Sequence, residues 1–305
     1  MTDLIDFDAY PLKLVIDILL KDKTTKKNII WATHTYEEYG EEYSDKKQME
    51  LYEFCGINKS LIQPRISKAL NQQQERTKNK AEVFTPSWIC NKMNNYCDEQ
   101  WFGRKDVFNT EIENGWIATS EKIVFPKNKD WKKYVDSRRL EITCGEAPYL
   151  VSRYDATTGE IIPLDSRIGL LDRKMRVINE NITNEDEWKQ WTIRAFQSCY
   201  GYEYQGDNLL IARTNMFLSF VDYYTDRWQQ AADKKLMQKI ANIISWNIWQ
   251  MDGLKGSVPF GSIDRTGEQM TFADFIVEEE EEEKIECKIY DWRKDRSILF
   301  SELKN

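Results

Sequence analysis

Three segments of this chain resemble short strands that end with a polar residue, and a turn containing glycine follows two of them. The runs are residues 140–143, 200–203 and 243–247, and the glycines after the first two are Gly145 and Gly206. A strand followed by a glycine turn and a helix is how an open α/β sheet binds a nucleotide-like ligand at its carboxyl edge. Because each strand end can supply a different part of one site, the pattern predicts an α/β protein with a ligand site built from these strand ends.

The size and charge of the chain are those of an ordinary globular protein with locally basic segments. The chain has 305 residues, which is long enough for one large α/β domain or two smaller ones. Of these residues, 41% are hydrophobic and 31% are charged, as in ordinary globular proteins. The formal net charge is −8, and residues 278–283 are six consecutive glutamates. Basic residues concentrate instead in segments 59–80 and 122–139. Such segments can follow a phosphate backbone, although solvated helix faces are the commoner explanation.

The cysteine and histidine content argues against a metal centre. None of the six cysteines belongs to a C-x-x-C pair, and His34 is the single histidine, so neither a zinc site nor a histidine-dependent triad is expected. The acidic first residues do not resemble a signal peptide, and Lys13 and Asp17 interrupt the apolar run at 12–20, which favours an amphipathic helix over a membrane span. We therefore expect a cytoplasmic protein without membrane contact.

The segment KNKAEVFTP ends at Pro86, and helical spacing begins at Ser87. It resembles the segment before the first helix in adenine-specific DNA methyltransferases of restriction–modification systems. In that family a Phe-Thr-Pro turn touches the methionyl part of S-adenosylmethionine, which implies a cofactor-binding role for Phe84, Thr85 and Pro86. From the residues alone, an ordinary turn before a helix is the alternative.

Two further segments resemble the cofactor-binding motifs of the same family. LEITCGEAPYL is similar to its glycine-rich loop, which implies that Thr143, Cys144 and Gly145 approach the cofactor. YGYEYQGDNLLIARTN resembles the next motif, in which an acidic residue receives the ribose hydroxyls, and this assigns Glu203. A solvated carboxylate at a strand end is the alternative for Glu203. The loop departs from the family pattern in that Glu-Ala-Pro follows the glycine.

The segment IISWNIWQ falls where the family has its Asn-Pro-Pro-aromatic catalytic tetrapeptide. The resemblance implies that the Asn247 side chain and the Ile248 carbonyl accept hydrogen bonds from the exocyclic amine of a flipped adenine, and that Trp249 stacks on the base. Neither proline of the family motif is present in this chain. A core strand end with an inward-packed aromatic residue is the alternative interpretation.

The resemblance covers about residues 58–260 and implies a Rossmann-like methyltransferase sheet with helices on both faces. It divides the chain into a mainly helical N-terminal region (1–80), an S-adenosylmethionine-dependent methyltransferase-like domain (81–260) and a short C-terminal hairpin or tail with the acidic run (261–305). The implied function is transfer of a methyl group to the exocyclic amine of adenine in double-stranded DNA. The alternative is a catalytically silent subunit of the same fold that binds DNA or acts as a scaffold. A separate specificity or nuclease subunit is expected as a partner.

Overall fold

The computed structural model describes residues 4–68, 85–262 and 284–303, and within these ranges it is a mixed α/β protein with eight α-helices and four small sheets. The helices are α1 (Ile16–Leu19), α2 (Leu51–Phe54), α3 (Ser87–Phe102), α4 (Trp131–Asp136), α5 (Leu170–Asn181), α6 (Glu185–Gln197), α7 (Gly206–Trp228) and α8 (Lys234–Asn247). The strands are β1 (Asn109–Ile112), β2 (Gly115–Ala118), β3 (Arg139–Glu141), β4 (Cys199–Glu203), β5 (Ile248–Gln250), β6 (Ser257–Ser262), β7 (Lys284–Glu286), β8 (Lys288–Asp291) and β9 (Arg296–Leu299). The expected α/β class is confirmed.

A three-stranded parallel sheet organises the middle of the chain. Strands β3, β4 and β5 lie side by side in this order, with Glu141 opposite Gly201 and Glu203 opposite Gln250. Helices α5 and α6 connect β3 with β4, and α7 and α8 connect β4 with β5. Because the three strands are parallel, their carboxyl ends lie at one edge of the sheet and their amino ends at the other.

The long helix α7 lies at the centre of the hydrophobic core. Residues 206–217 at its start are all buried, and a helix buried on every side belongs to the interior of a domain. Helices α5 and α8 and strands β4 and β5 surround it. The core that includes α7 extends from Ile5 to Ile248. No helix in the described ranges, α7 included, is long and apolar enough to cross a membrane.

Local sequence explains where several helices begin and end. Asn184 caps α6 by accepting the Glu187 N–H at 3.0 Å, and Asp233 caps α8 by accepting the Leu236 N–H at 3.0 Å. Helix α3 ends at Gly103, whose φ of 72° is a left-handed conformation that glycine adopts without strain. These short-range signals set the ends of the helices that flank the sheet.

The apolar run at 243–247, which we expected to be a strand, is helical. Helix α8 continues through Asn247, and β5 begins only at Ile248. The buried apolar residues of α8 recur at helical spacing and are Leu236, Met237, Ile240, Ala241, Ile243 and Ile244. The expectation was wrong because a short apolar run does not by itself distinguish a buried strand from a buried helix.

The N-terminal region is less helical than expected. Within residues 4–68, α-helix is limited to α1 and α2, which have four residues each, and the rest consists of 3-10 turns, bends and irregular backbone. The buried Arg213 attaches this region to the sheet, because its guanidinium donates to the carbonyl oxygens of Leu19, of Lys21 at 3.1 Å and of Ile248 at 2.7 Å. Burial lowers the pKa of Arg213 to about 10.

The C-terminal strands cover one face of the parallel sheet. Strands β8 and β9 form an antiparallel hairpin, and β6 pairs with β7 in a second antiparallel pair. Trp249 and Met251 pack with Cys287 and Ile289 in a small cluster beside the main core. The acidic run at 278–283 lies outside the described residues.

Candidate cofactor-binding site

Three segments meet at the carboxyl edge of the parallel sheet. The loop after β3 begins at Ile142, the turn after β4 leads into α7 at Gly206, and Met251 follows β5. The segments are far apart in the sequence but adjacent in space, because parallel strands end at the same edge. The amino end of α7 lies in the same place and carries the positive end of the helix dipole. The fold therefore concentrates polar groups at this edge.

Glu203, the last residue of β4, joins two of these segments. Its Oε2 accepts the Gly145 N–H at 2.9 Å, and its Oε1 accepts the Gln205 N–H at 3.1 Å. The residue is 7% exposed, and burial raises the pKa of its carboxyl group in spite of these hydrogen bonds. An ionised carboxylate has about four acceptor positions, so Glu203 can accept further hydroxyl donors while it positions the loop.

The loop after β3 has an unusual backbone. Thr143, Gly145 and Ala147 have φ values of 45°, 53° and 63°. A left-handed conformation costs a non-glycine residue about 1–3 kcal/mol, and such residues cluster at ligand-binding sites. Cys144 is buried and donates its N–H to the Tyr202 carbonyl at 2.9 Å, whereas Thr143 is exposed. Cys144 is thus the buried anchor of a loop that keeps Thr143 at the surface.

Glu141, the last residue of β3, is a second buried carboxyl group at this edge, and our sequence analysis did not assign it to the site. Its two oxygens accept the N–H groups of Tyr149 at 3.4 Å and Leu150 at 3.1 Å. Burial raises the pKa of Glu141 to about 8, and the charge of Glu203 adds to this rise. Glu141 therefore holds a proton near neutral pH. Glu141 lies at the end of a strand, as Glu203 does, and this feature of the sequence could have placed it among the residues of this edge.

The segment before α3 reaches the same edge. The Thr85 side chain lies close to the Tyr149 hydroxyl group of the loop after β3, and Pro86 immediately precedes α3. Phe84 lies outside the described residues, so its contact with a cofactor stays a prediction. The structure thus brings Thr85 close to the loop that Glu203 holds in place.

Asn247 lies at the opposite edge of the sheet. Its Nδ2 donates to the carbonyl oxygens of Phe196 at 2.9 Å and Cys199 at 3.0 Å, and its Oδ1 accepts the Trp292 Nε1–H at 2.7 Å. The side chain is fully buried. Because Cys199 begins β4 and Glu203 ends it, about 13 Å of strand, at about 3.3 Å per residue, separates Asn247 from the residues at the carboxyl edge. The structure does not bring them together.

Ile248 and Trp249 are also occupied by contacts inside the protein. The Ile248 carbonyl accepts a hydrogen bond from Arg213 Nε at 2.7 Å. Trp249 is 2% exposed, and its ring packs against Tyr202 and Phe300 with centroid distances of 5.8 Å in both cases. Both groups are therefore engaged within the protein. The geometry therefore gives no support to the base-binding roles expected for this segment and matches the alternative of a packed core.

The N-terminal region covers the carboxyl end of β5. Gln250 accepts the Ile30 N–H at 2.9 Å and donates to the Ile30 carbonyl at 2.8 Å. The Gly206 N–H donates to the Trp31 carbonyl at 2.9 Å, and a Cβ on Gly206 would lie 2.1 Å from the Ile30 oxygen. Gly206 is thus needed for this close approach, and the accessible part of the edge lies at β3 and β4.

A cavity beside the amino end of α7 extends the candidate site. Its volume is about 270 Å³, and its lining includes Tyr36, Tyr39, Tyr43 and Lys68. The buried Asp207 accepts hydrogen bonds from the Tyr36 hydroxyl at 2.7 Å and from Lys68 Nζ at 3.2 Å. A cavity with aromatic rings and a few polar groups suits a small ligand, and its volume lies close to the lower end of the usual range, roughly 300 Å³.

A separate group consists of the exposed His34 and Glu37 and the half-buried Asp45, whose potential metal-binding atoms lie within 4.8 Å of one another. His34 Nδ1 is 2.5 Å from Glu37 Oε1, and His34 Nε2 is 3.6 Å from Asp45 Oδ2. Because both ring nitrogens face carboxylates, hydrogen bonding and ion pairing account for the group. We therefore assign no metal to it.

The carboxyl edge of β3 and β4 thus combines the buried carboxyl groups of Glu141 and Glu203, a left-handed loop and an adjacent cavity. Thr85, Gly145 and Glu203 are part of it, whereas Asn247 is not. Comparisons with protein-family models, with curated proteins and with solved structures found no match for the chain.

Proposed function

We propose that the chain is a DNA-methyltransferase-like modification subunit that binds S-adenosylmethionine at the carboxyl edge of β3 and β4. The observation that supports this most directly is that Thr85, the loop at Gly145 and Glu203 lie around one edge. These segments, far apart in the chain, are the ones that resemble the cofactor-binding motifs of adenine-specific DNA methyltransferases. In this proposal the three parallel strands are part of a Rossmann-like sheet.

The groups at the edge fit the chemistry of this cofactor. Glu203 has acceptor positions left for the two ribose hydroxyls after it accepts the Gly145 and Gln205 N–H groups. Gly145 has no Cβ, so a ligand can approach its backbone closely. The resemblance places the methionyl part near Thr85 and Pro86. When bound, the cofactor would supply an electrophilic methyl group, and these residues would hold it in position.

Methyl transfer to adenine requires a flipped base whose exocyclic amine lies against that methyl group. Asn247 cannot hold the base there, because its amide is engaged by Phe196, Cys199 and Trp292 at the amino edge. Adenine methylation by this chain would therefore depend on other groups at the carboxyl edge. The loop after β3 and the cavity beside α7 are where we propose that the base and its amine are received.

The burial of Asn247 favours a second candidate function. In this alternative the chain keeps a methyltransferase-like fold but is catalytically silent, and it binds DNA or acts as a scaffold in a restriction complex. The two functions differ in methyl transfer. Incubation with labelled S-adenosylmethionine and double-stranded DNA separates them, because incorporation of label into adenine would exclude the silent alternative.

We propose segment 122–139 as the contact with double-stranded DNA. Lys129 Nζ lies 4.7 Å from the centre of the Trp101 ring, and Lys132 Nζ lies 5.5 Å from the Trp131 ring. Lysines can neutralise phosphates, and the aromatic rings beside them can stack on unpaired bases. A separate specificity or nuclease subunit would supply sequence recognition. All six cysteines are free thiols, which agrees with action in a reducing cytoplasm.

Isothermal titration of S-adenosylmethionine into the full chain tests the cofactor site. Glu203→Ala should weaken binding about 100-fold, because two charge-assisted hydrogen bonds at about 1.5 kcal/mol each are lost. Glu180→Ala is the matched control, since Glu180 also accepts a backbone N–H, from Ile123 at 2.9 Å, but lies on α5. Equal affinities of the wild type and Glu203→Ala would refute this site. A wild type that binds no cofactor would refute the proposed function.

A further inference from the structure

The side chain of Ile57 projects into solvent from an anchored turn. It is 99% exposed and lies in the middle of the single 3-10 turn Gly56–Asn58. The N–H at the start of this turn donates to Asp8 Oδ2 at 2.7 Å, and the Leu61 N–H donates to the carbonyl at its end at 2.8 Å. Leu61 also packs against the main core. The exposure of Ile57 is therefore a property of a turn held on both sides.

Ile57 also lines the cavity beside the amino end of α7, whose volume is about 270 Å³. Tyr39 lines the same cavity and is 53% exposed, so its ring is accessible to a ligand. The centre of this ring lies 5.9 Å from that of Tyr43, which also lines the cavity. An accessible aromatic ring is a surface on which a nucleobase can stack. The cavity therefore has an apolar side chain at its opening and a stacking surface inside.

Two amide side chains in the cavity offer hydrogen-bond acceptors. Asn58 Nδ2 donates to the Tyr52 carbonyl at 3.3 Å, and Gln63 Nε2 donates to the Lys59 carbonyl at 3.1 Å. These contacts hold the nitrogens, and no hydrogen bond from another described residue reaches either amide oxygen. Amide side chains recognise adenine, because their oxygen accepts a hydrogen bond from its exocyclic amine. The polar part of the cavity thus suits an adenine base.

The charges on the two sides of the cavity differ in sign. Residues 56–68 contain Lys59, Arg65 and Lys68 and no acidic residue, and Lys59 is exposed close to Ile57 in the chain. Residues 36–45 contain five acidic residues and no lysine or arginine. DNA phosphates are attracted to the first side and repelled by the second. The charges therefore direct a duplex to the side of the cavity that carries Ile57.

We propose that Ile57 inserts between base pairs of double-stranded DNA and that the displaced adenine enters this cavity, where it stacks on Tyr39. Apolar side chains act in this way as wedges that unstack a base step, and enzymes that modify a base take it out of the duplex. The inference rests on the proposed function, which makes adenine in DNA the substrate. It gives the N-terminal region the base-binding role that Asn247 and Trp249 do not fill.

The cavity adjoins the proposed cofactor site through Asp207. The Tyr36 hydroxyl and Lys68 Nζ, both from the lining of the cavity, donate to Asp207 at 2.7 Å and 3.2 Å. Asp207 is close to Glu203, because burial and then the charge of Asp207 raise the pKa of the Glu203 carboxyl group. Glu203 is the proposed ligand of the cofactor ribose. A base in the cavity would therefore lie next to the cofactor, as methyl transfer requires.

Fluorescence anisotropy of two labelled duplexes with the full chain, without cofactor, tests the inference. The duplexes have the same sequence, except that one adenine lies opposite cytosine in the second. The wild type should bind this mismatched duplex about 10-fold more tightly, because less unpairing energy is needed to displace the adenine. Ile57→Ser and Tyr39→Ala should bind the two duplexes with nearly equal affinity. Leu254→Ser, which replaces an apolar residue that is 97% exposed on another turn, is the control and should keep the preference.

Three results would overturn the inference. They are a wild type without preference for the mismatched duplex, a preference that persists in folded Ile57→Ser, and a preference that is also lost in Leu254→Ser. Circular dichroism establishes that each variant is folded, and Ile57→Ser keeps the test valid if Tyr39→Ala does not fold. The cofactor titration separates the two proposals. Cofactor binding without a mismatch preference would refute only the wedge and base pocket, whereas a mismatch preference without cofactor binding would refute only the methyltransferase function.

Discussion

Replacement of Asn247 by alanine separates a structural role of this residue from a catalytic one. The side chain joins three parts of the protein, since it donates to the carbonyl oxygens of Phe196 and Cys199 and accepts the Trp292 indole N–H. Asn247→Ala removes these three hydrogen bonds and leaves their partners buried without replacements. At about 1 kcal/mol for each partner, the lower end of the range for unsatisfied buried groups, the free energy of unfolding should fall by about 3 kcal/mol.

The assay is thermal unfolding followed by circular dichroism. A loss of about 3 kcal/mol lowers the melting temperature of a domain of this size by about 5–10 °C. Asn242→Ala is the control, because Asn242 lies on the same helix but only accepts Lys23 Nζ at 2.8 Å in a half-buried place. Its removal should cost about 1 kcal/mol or less. Asn247→Ala that melts like the wild type but no longer methylates DNA would refute the structural role and restore the catalytic one.

Two other substitutions test the carboxyl edge. Gly206→Ala should lower the free energy of unfolding, measured by urea titration, by about 1–3 kcal/mol, because its Cβ would lie 2.1 Å from the Ile30 oxygen. Gly115→Ala is the control and should lower the free energy of unfolding less, because the nearest contact of its Cβ would be at 3.5 Å. Equal losses in the two variants would show that the close approach at Gly206 is unimportant. The pKa of Glu141 rises from 4.5 to about 8 on folding, so the folded chain binds the Glu141 proton more tightly than the unfolded chain. This difference stabilises the folded state fully below pH 4.5, and the stabilisation is lost as the pH rises through 8. Glu141→Gln should flatten this decline by up to about 1.4 kcal/mol per pH unit, and parallel stability curves for variant and wild type would contradict the raised pKa.

Local patterns predicted the carboxyl edge well. The strand-like runs that end near Glu141 and at Glu203 correspond to β3 and β4, although β3 ends two residues earlier than expected. The alternation of apolar residues with polar or small ones, and the glycine turn that follows, involve only a few neighbouring residues, so they can be seen in a single sequence. Parallel pairing then follows from the helical segments between the strands. The meeting of Gly145 and Glu203 was therefore accessible to sequence reasoning.

The helical structure of residues 243–247 could not be predicted from local patterns in the same way. Ile243 and Ile244 favour a strand by local propensity, yet both are buried on a helix that begins with the Asp233 cap. Burial on several sides makes the whole run apolar, which removes the periodicity that distinguishes helix from strand. Tertiary packing against α7 and α6 overrides the propensity of the individual residues.

The sequence by itself determined the α/β class, the end of β4 and the carboxylate that closes the glycine loop, because each depends on residues that are neighbours in the chain. Only the tertiary structure decided that Asn247 lies at the amino edge of the sheet and Glu203 at the carboxyl edge. A difference of a few residues in where α8 ends places Asn247 before β5 and not after it. Its amide then meets groups from residues 196, 199 and 292, which are distant in sequence and come together only when the chain is folded.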